Sequence, residues 1–310
     1  METKEKKKKK KRHILLKLFS VLLVLALLAA GAAYWAYAYV TKEYESVTLV
    51  HKTDPTGLMH TDDVTNILLI GIDTADAEAS TRSDSMILLS IDKKHNTLKL
   101  TSFMRDMYVD VPGYGFTKLT HACAYEGPGL TVDTIESNFR IRIDGYVKIG
   151  YDIFRLLVDG LDGVTVPEID DTESAALAIE GVKLQPGKNI HLNGDQALQY
   201  CRIRKGQSDF QRTARQREVL SLIFQKAKST GLFKLLKLAR SVLGAVESSI
   251  PQKELLGLGM KILPCLGNGT QQQQIPADGA WWDETVSGMM VLAVDFDKNI
   301  EAIRTFIYGN

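Results

Sequence analysis

The chain has few cysteines and no internal repeat. Its 310 residues contain three cysteines, Cys123, Cys201 and Cys265. This number excludes a disulfide scaffold and a four-cysteine zinc site. Strands interleaved with helices and no repeated unit indicate one α/β domain rather than a repeat array.

A basic excess is also missing from most of the chain. Nine of the 38 Lys and Arg residues and two of the 37 Asp and Glu residues precede residue 41. The remaining part, residues 41–310, therefore holds 29 basic and 35 acidic residues, a net charge of −6. Binding to nucleic acid requires basic side chains that neutralise phosphates. We therefore expect no nucleic-acid partner.

Long hydrophobic runs are absent after residue 40, but one precedes it. Residues 18–40 carry no charge and end in four aromatic residues, which suits a membrane-spanning helix with its far end among the lipid headgroups. Residues 1–13 contain eight Lys and Arg, so this end is expected in the cytoplasm. We predict a cytoplasmic basic tail over 1–13, a single-pass anchor over 14–40 and the rest of the chain outside. A cleaved signal peptide is the alternative, although its apolar region is usually only about 7–15 residues.

Residues 41–62 are polar, contain Pro and Gly, and are predicted to form a linker. After it, residues 63–310 are predicted to form a single α/β domain with a central mixed β-sheet flanked by helices. Predicted strands are Asn66–Ile72, Ser85–Ile91, Thr97–Phe103, Gly163–Val166 and Ser287–Val294. Predicted helices are Leu130–Ile141, Tyr151–Leu161, Asp209–Lys228, Leu232–Val246, Lys253–Leu263 and Asn299–Ile307. Two further segments are ambiguous: Asn193–Arg204 is interpreted as a helical turn leading into a strand, and Gln271–Gln274 as a loop.

Charged residues interrupt the apolar pattern where the first three strands begin or end. Asp73 follows the first strand; Arg82 and Asp84 precede the main run of the second; Arg105 and Asp106 follow the third. A short turn makes the second and third strands an antiparallel hairpin. If the second strand is antiparallel to both neighbours, these five side chains meet at one edge of the sheet.

A second group of polar residues lies further along the chain. Arg202 and Arg204 would share one face of a strand. Arg212, Arg215 and Gln216 would share one face of the helix that opens at Asp209, interpreted as its N-cap. Arginine binds phosphate oxygens through two parallel hydrogen bonds. Magnesium takes one or two carboxylates together with substrate phosphates. The combination suits a phosphate ester or pyrophosphate bound with a divalent ion.

From Asn66 to about Val219 the chain resembles the LytR-CpsA-Psr family. The resemblance rests on motifs that occur in the family's order: NILLIGIDT, TRSDSMILLSID, SFMRDMYVDVPG, TKLTHACAYEGP, LNGDQALQYCRIR and SDFQRTARQREVL. Two positions depart from the family pattern: Met104 stands where Pro is common, and Thr120 where Asn is common. The basic tail and single anchor also agree with the family.

The resemblance implies an extracytoplasmic phosphotransferase of a Gram-positive cell wall, dependent on Mg²⁺ or Mn²⁺. Its substrate would be a glycopolymer, such as wall teichoic acid or capsular polysaccharide, on a polyprenyl-pyrophosphate carrier. The acceptor would be a hydroxyl of peptidoglycan, and the enzyme would work at the cytoplasmic membrane. By position, Asp73 and Asp84 would hold the metal and act in catalysis together with Arg105. The pyrophosphate would be bound by Arg82, Arg105, Lys118, Arg202, Arg204, Arg212 and Gln216.

Two other functions remain open from the sequence. The same residues would serve a polyprenyl-pyrophosphate hydrolase in which water replaces the sugar acceptor. A membrane-anchored sensor or transcription attenuator is a second alternative, but a tail of 13 residues is too short for a DNA-binding domain. The later helices hold more apolar residues, Phe154 and Leu220 among them, than one buried face requires. We expect part of this surface to line a groove for the polyprenyl chain.

Overall fold

The computed structural model describes residues 31–54, 56–72, 82–204 and 208–309. Residues 31–40 are helical and form the end of the predicted anchor; the tail and the rest of the anchor lie outside the described residues. Within the described ranges, no helix combines the length and the apolar character needed to cross a membrane.

The strands form one central sheet and three hairpins. In chain order they are β1 (Val64–Ile72), β2 (Ser83–Asp92), β3 (Thr97–Phe103), β4 (Tyr108–Val111), β5 (Gly115–Lys118), β6 (Gly145–Ile149), β7 (Val164–Ile169), β8 (Gly187–Leu192), β9 (Glu247–Ser248), β10 (Thr270–Ile275), β11 (Trp281–Val286) and β12 (Met289–Val294). The sheet has six strands in the order β10-β3-β2-β1-β6-β9. The hairpins are β4–β5, β7–β8 and β11–β12.

Besides the helical residues 31–40, nine α-helices lie around these strands in the part of the chain that the structure describes. They are α1 (Leu119–Glu126), α2 (Pro128–Phe139), α3 (Tyr151–Gly160), α4 (Asp171–Ile179), α5 (Gly194–Arg202), α6 (Asp209–Ser229), α7 (Leu232–Leu243), α8 (Gln252–Ile262) and α9 (Phe296–Tyr308). A short 3₁₀ helix, Leu263–Gly267, follows α8.

The central sheet is mixed, as the sequence predicts. Strand β2 is antiparallel to both β1 and β3, whereas β6 runs parallel to β1 and β10 parallel to β3. The first strand is a continuous apolar run because both of its faces are covered. Leu68 and Ile70 pack into the core beneath α2 and α9, and Leu69 contacts the core beneath α6 and α8.

A second core lies beside the sheet. The helices around it carry the second group of polar residues described above, from Arg202 to Gln216. The β7–β8 hairpin packs with α3 to α7 around buried apolar side chains such as Val166, Leu192 and Val219. Helix α6 contributes to this core and also lies against the sheet. It therefore fixes the distance between the helical layer and the strand ends.

Two of the predicted elements are wrong. Residues Gln271–Gln274 belong to β10, an edge strand, because their backbone pairs with β3 from Lys99 to Ser102. The segment from Asn193 to Arg204 is helix α5 rather than a turn and a strand. Its N-terminus is a capping box in which Asn193 and Gln196 satisfy each other's backbone N–H groups.

The predicted linker has little regular structure, but it lies against the domain. The Tyr44 hydroxyl donates to the Ile250 carbonyl at 2.5 Å, and the Val47 N–H donates to the Ser248 carbonyl at 2.8 Å. The side chain of Tyr44 is buried. The described part of the predicted linker therefore belongs to the packed structure.

Candidate active site

The ends of β2 and β3 bring together the first pair of predicted site residues. Arg105, just past β3, donates from Nη1 to Asp84 Oδ1 near the start of β2. The antiparallel register therefore places these side chains at one sheet edge, as predicted. The Nε of Arg105 lies 3.6 Å from Asp106 Oδ2, and Asp106 accepts a hydrogen bond from Lys118 Nζ at 2.7 Å. Lys118 is the last residue of β5, so this hairpin adds a second cation.

The first turn of α6 closes the network from the opposite side. Arg212 Nη2 donates to Asp209 Oδ2 at 3.0 Å and to the Asp84 carbonyl at 3.2 Å. Asp209 Oδ2 also lies 3.6 Å from Arg105 Nε. The predicted N-cap is wrong, because Ser208 caps the helix through Gln211. Asp209 is thus left to orient two arginines.

Arg202 and Arg204 both lie on the solvent side of this network, although they are not on a strand. Helix α5 ends at Arg202, and Ile203 has extended dihedrals, with φ −52° and ψ 123°. The chain therefore still alternates, with Ile203 buried between two exposed arginines. Arg204 Nη2 lies 3.8 Å from Asp84 Oδ2. The guanidinium of Arg202 lies over the Tyr151 ring, 4.8 Å from its centroid.

Arg215 does not join the group, although its spacing predicts a shared face with Arg212 and Gln216. Its Nε donates to the Tyr200 carbonyl at 3.1 Å and its Nη2 to the Ile203 carbonyl at 2.7 Å. Its Nη1 also bonds Glu173 at 3.3 Å. Arg215 therefore supports the end of α5 from below and positions the segment that carries Arg202 and Arg204.

Two predicted residues are not placed within this network. Asp73 lies outside the described residues. Arg82 is exposed immediately before β2.

Burial, together with the charges of Arg82 and Lys118, lowers the pKa of His121. This histidine is therefore neutral at pH 7, and its Nδ1 lies 2.7 Å from the Thr117 hydroxyl, consistent with a structural role.

One departure from the family pattern contributes to the site. The Thr120 hydroxyl donates to the Ser83 carbonyl at 2.9 Å, and its N–H donates to the Arg105 carbonyl at 3.0 Å. Thr120 therefore ties α1 to both strand ends. Met104, the other departure, is fully buried beside the hydroxyl of Thr213 on α6.

An apolar cavity of about 140 Å³ opens beside the charged network, between the sheet and helices α3, α5 and α6. Its apolar lining comes from Leu69, Ile72, Ile87, Ile149, Phe154, Leu198 and Leu220. Its polar lining is Asp84, Ser85, Arg202, Arg204, Arg212 and Gln216. Two residues expected to line such a groove, Phe154 and Leu220, do so. The site combines a cationic group with a hydrophobic slot.

Several buried donors in the network have no hydrogen-bond acceptor among the described residues. They are Arg105 Nε and Arg212 Nε and Nη1. Arg212 Nη1 lies 2.7 Å from Asp209 Oδ1, so it is ion-paired without a hydrogen bond. Burial lowers the pKa of Arg212 to about 10, which still leaves the side chain protonated at pH 7. Buried donors of this kind require an acceptor, and an anion meets that need.

The charge balance of the site also favours an anion. Burial alone would lower the pKa of Arg105, but Asp209, Asp84 and Asp106 raise it above its ordinary value. Arg105, Lys118, Arg202, Arg204 and Arg212 are five cations, against three carboxylates in the described part of the site. The positive excess lies at the polar end of the cavity.

Asp84 is the described member of the predicted metal pair. Its Oδ1 accepts from Arg105, and its Oδ2 lies 3.8 Å from Arg204 Nη2. A carboxylate is a ligand that Mg²⁺ takes together with substrate phosphates.

Tyr151 and Asp209 are contributors whose roles the sequence did not reveal. Tyr151 begins α3, and only the fold brings its ring beneath Arg202. Asp209 had a visible signal in its spacing of three residues from Arg212, which is typical of an ion pair on a helix.

Comparisons with known proteins identify the relatives of this chain. The LytR_cpsA_psr family model matches residues 32–305. A Bacillus subtilis (strain 168) polyisoprenyl-teichoic acid–peptidoglycan teichoic acid transferase, TagT, is 36% identical over 233 residues, covering 69% of this chain and 70% of TagT. TagU from Oceanobacillus iheyensis, which carries the same transferase description, is 31% identical over 307 residues, covering 94% of this chain and 92% of TagU.

A solved structure gives the same result for the fold. TagT with bound octaprenyl pyrophosphate lipid has a TM-score of 0.64 and 28% identity, covering 86% of this chain and 98% of the other. The match extends over nearly all of the described domain. The chain therefore belongs to the LytR_cpsA_psr family.

Proposed function

We propose that this protein transfers a glycopolymer from a polyprenyl-pyrophosphate carrier to peptidoglycan. One observation carries the proposal: buried arginine N–H groups that make no hydrogen bond to any described residue stand at the polar end of an apolar cavity. A polyprenyl pyrophosphate has the matching shape, because its charged head is joined directly to a long apolar chain. The relatives named above are described as teichoic acid transferases, which favours wall teichoic acid as the polymer.

The pyrophosphate head is held by the network at the sheet edge. Arg105 and Arg212 bind its oxygens from the buried side, and Arg202, Arg204 and Lys118 approach from the exposed side, with Arg82 at the rim. Gln216 has a buried Oε1 without a hydrogen bond among the described residues, and it faces the same cavity. The contacts of the arginines with phosphate oxygens would be charge-assisted and bidentate.

In the transfer, a peptidoglycan hydroxyl oxygen attacks the phosphorus that carries the glycopolymer. The bond from that phosphorus to the bridging oxygen breaks, and polyprenyl phosphate leaves. The hydroxyl proton passes to a base, for which Asp73 and Asp84 are the candidates. Arg105, fixed by three carboxylates, stabilises the negative charge that develops on the phosphoryl oxygens.

Asp73 and Asp84 are the proposed ligands of Mg²⁺ or Mn²⁺, which would supply additional neutralisation of the phosphates. The described residues fit such an ion, since Asp84 points a carboxylate at the polar end of the cavity. The ion would share the head group with the arginines rather than replace them.

The proposed location is the outer face of the cytoplasmic membrane in a Gram-positive cell. The cytoplasmic tail 1–13 and the anchor 14–40 would hold residues 63–310 near the lipid carrier. Protease added to intact protoplasts should then degrade the domain, and full protection would contradict this topology.

A binding assay tests the head-group assignment. Labelled lipid-pyrophosphate glycan is bound to the full chain in detergent, and Arg204→Ala is compared with Arg304→Ala. Arg304 is a matched control because it pairs with Glu301 on the exposed side of α9. A charge-assisted contact is worth roughly 1.5–3 kcal/mol, so Arg204→Ala should weaken binding by about 10- to 100-fold. Equal affinity for both variants would remove Arg204 from the site.

A second assay separates transferase from hydrolase. The labelled glycan should appear on peptidoglycan when fragments are added, and chelation should stop the reaction. Release of free glycan phosphate at the same rate with and without fragments would favour the hydrolase. Activity that persists in chelator would remove the metal from the proposal.

A further inference from the structure

The segment that precedes the domain meets α2 at a compact group of ionisable side chains. His51 Nδ1 lies 3.1 Å from Glu136 Oε2. The backbone N–H groups of Lys52 and Thr53 donate to Asp133 Oδ1 at 2.9 and 3.2 Å. Asp133 and Glu136 are three residues apart and therefore share one face of the helix. Two separate parts of the chain thus contribute to one group.

The two carboxylates of this group are buried more deeply than the described carboxylates of the proposed active site. Asp133 and Glu136 are each 1% exposed, whereas the His51 side chain is 39% exposed. Burial and the charge of Asp133 raise the pKa of Glu136, against the contributions of Ile143 and His51. His51 can offer at most one positive charge to the two carboxylates. Buried carboxylates are normally paired or bound to a metal.

One oxygen in the group still lacks a partner. Asp133 Oδ1 accepts from Lys52 and Thr53, but the buried Oδ2 has no hydrogen bond within the part of the chain that the structure describes. Glu136 Oε1 is already used by the Ile143 N–H at 2.8 Å, and Oε2 faces His51. The hydrogen bonds that dock residues 51–53 therefore leave an acceptor unused.

The spacing of the group suits a metal ion. One ligand atom from each of His51, Asp133 and Glu136 lies within 4.8 Å of the others. Ligands about 2.0–2.2 Å from a tetrahedral zinc ion stand roughly 3.4 Å apart, so a small closure would complete the set. A mixed imidazole and carboxylate set suits Zn²⁺ or Mn²⁺, whereas Mg²⁺ and Ca²⁺ favour oxygen ligands.

We propose that His51, Asp133 and Glu136 form a second metal site, which binds a divalent transition-metal ion of the Zn²⁺ or Mn²⁺ class. The exposed side of His51 leaves room for water as a further ligand. The ion joins the segment after the anchor to α2, so it fixes the membrane-proximal chain against the domain. This site is independent of the proposed transfer reaction and shares no residue with it.

Titration of the metal-free full chain in detergent with Zn²⁺ alone, and separately with Mn²⁺ alone, tests the site. His51→Gln is the main variant because His51 is partly exposed and its loss spares the core. His60→Gln is the matched control, since His60 lies on the same segment and pairs with the exposed Asp62, at 3.7 Å. Each of these proteins is also made with Asp84→Asn, which removes metal bound at the proposed active site from the comparison.

With and without Asp84→Asn, the wild type and His60→Gln should bind one more equivalent of metal than His51→Gln. That equivalent should raise the melting temperature. Glu136→Gln keeps an acceptor for Ile143 and should lose the same equivalent. Loss of that equivalent in His51→Gln, for either ion, supports the site. Equal stoichiometry and affinity in the wild type and His51→Gln for both ions would overturn it, and would leave the group as a hydrogen-bonded pin for residues 51–53.

Discussion

Arg215 offers the sharpest test of how the segment that carries Arg202 and Arg204 is held. Its side chain is 6% exposed and donates to two carbonyls at the end of α5, those of Tyr200 and Ile203. Lysine at this position keeps the charge, but its single ammonium group cannot reproduce the planar fork. Arg215→Lys should therefore lose at least one charge-assisted hydrogen bond, which is worth roughly 1.5–3 kcal/mol of unfolding free energy.

Removal of the whole side chain should cost more. In Arg215→Ala, the carboxylate of Glu173, whose side chain is 13% exposed, loses its cation. Breaking a buried pair in this way costs about 3–5 kcal/mol. Burial already raises the pKa of Glu173, so part of this loss will be relieved when the carboxyl takes up a proton.

The assay combines urea unfolding with lipid binding. With an m-value of about 2 kcal/mol/M, Arg215→Lys should lower the urea midpoint by roughly 1 M. It should also weaken lipid-pyrophosphate binding, because Arg202 and Arg204 follow the supported carbonyls. Arg304→Lys, at an exposed pair on α9, should leave both quantities unchanged. A normal midpoint and normal affinity in Arg215→Lys would refute the positioning role.

Three further predictions follow from local contacts. Gly194→Ala should destabilise the fold by about 1–3 kcal/mol, because the added Cβ would lie 2.8 Å from the Arg155 carbonyl oxygen; Gly257→Ala, in open space on α8, should instead stabilise it by about 0.5–1 kcal/mol in the same urea assay. Ser208→Ala should lower the free energy of unfolding by about 1 kcal/mol through loss of the α6 cap. An unchanged urea midpoint would indicate that Asp209, and not Ser208, caps the helix. Burial raises the pKa of Cys201 to about 12, so at pH 8 only about one thiol in ten thousand is ionised; iodoacetamide should modify this cysteine in urea but not in the native protein, as mass spectrometry would show.

The local sequence pattern was sufficient to predict the strands whose side chains are buried on both faces of the sheet. β1, β2 and β3 lie within two residues of their predicted bounds, because fully buried strands are continuous apolar runs that end at polar residues. The antiparallel order of these strands then placed Asp84 beside Arg105. Only hydrogen-bonding topology was needed for that step, and it requires no knowledge of the helices.

Pattern failed where pairing with a distant segment decides the structure. The glutamines of β10 have no apolar alternation, and they form a strand because β3 offers its free backbone edge to them. No local signal identifies that edge. Helix α5 is a different case, because the sequence does contain the Asn193 and Gln196 capping box. Its short length and its following arginines made a strand the more natural interpretation.

Arg215 shows a further limit, which concerns the two sides of one helix. Successive residues are rotated by about 100°, so Gln216 stands about 40° from Arg212, while Arg215 stands about 60° away in the other direction. Spacing alone places all three on one broad face, yet the cavity takes Arg212 and Gln216 and the end of α5 takes Arg215. The difference arises because α6 packs against both the sheet and the second core, and each of them contacts one side of that face. A cation can therefore act on a substrate indirectly, by holding the backbone that carries the binding residues, and only the packing of the helix distinguishes the two roles.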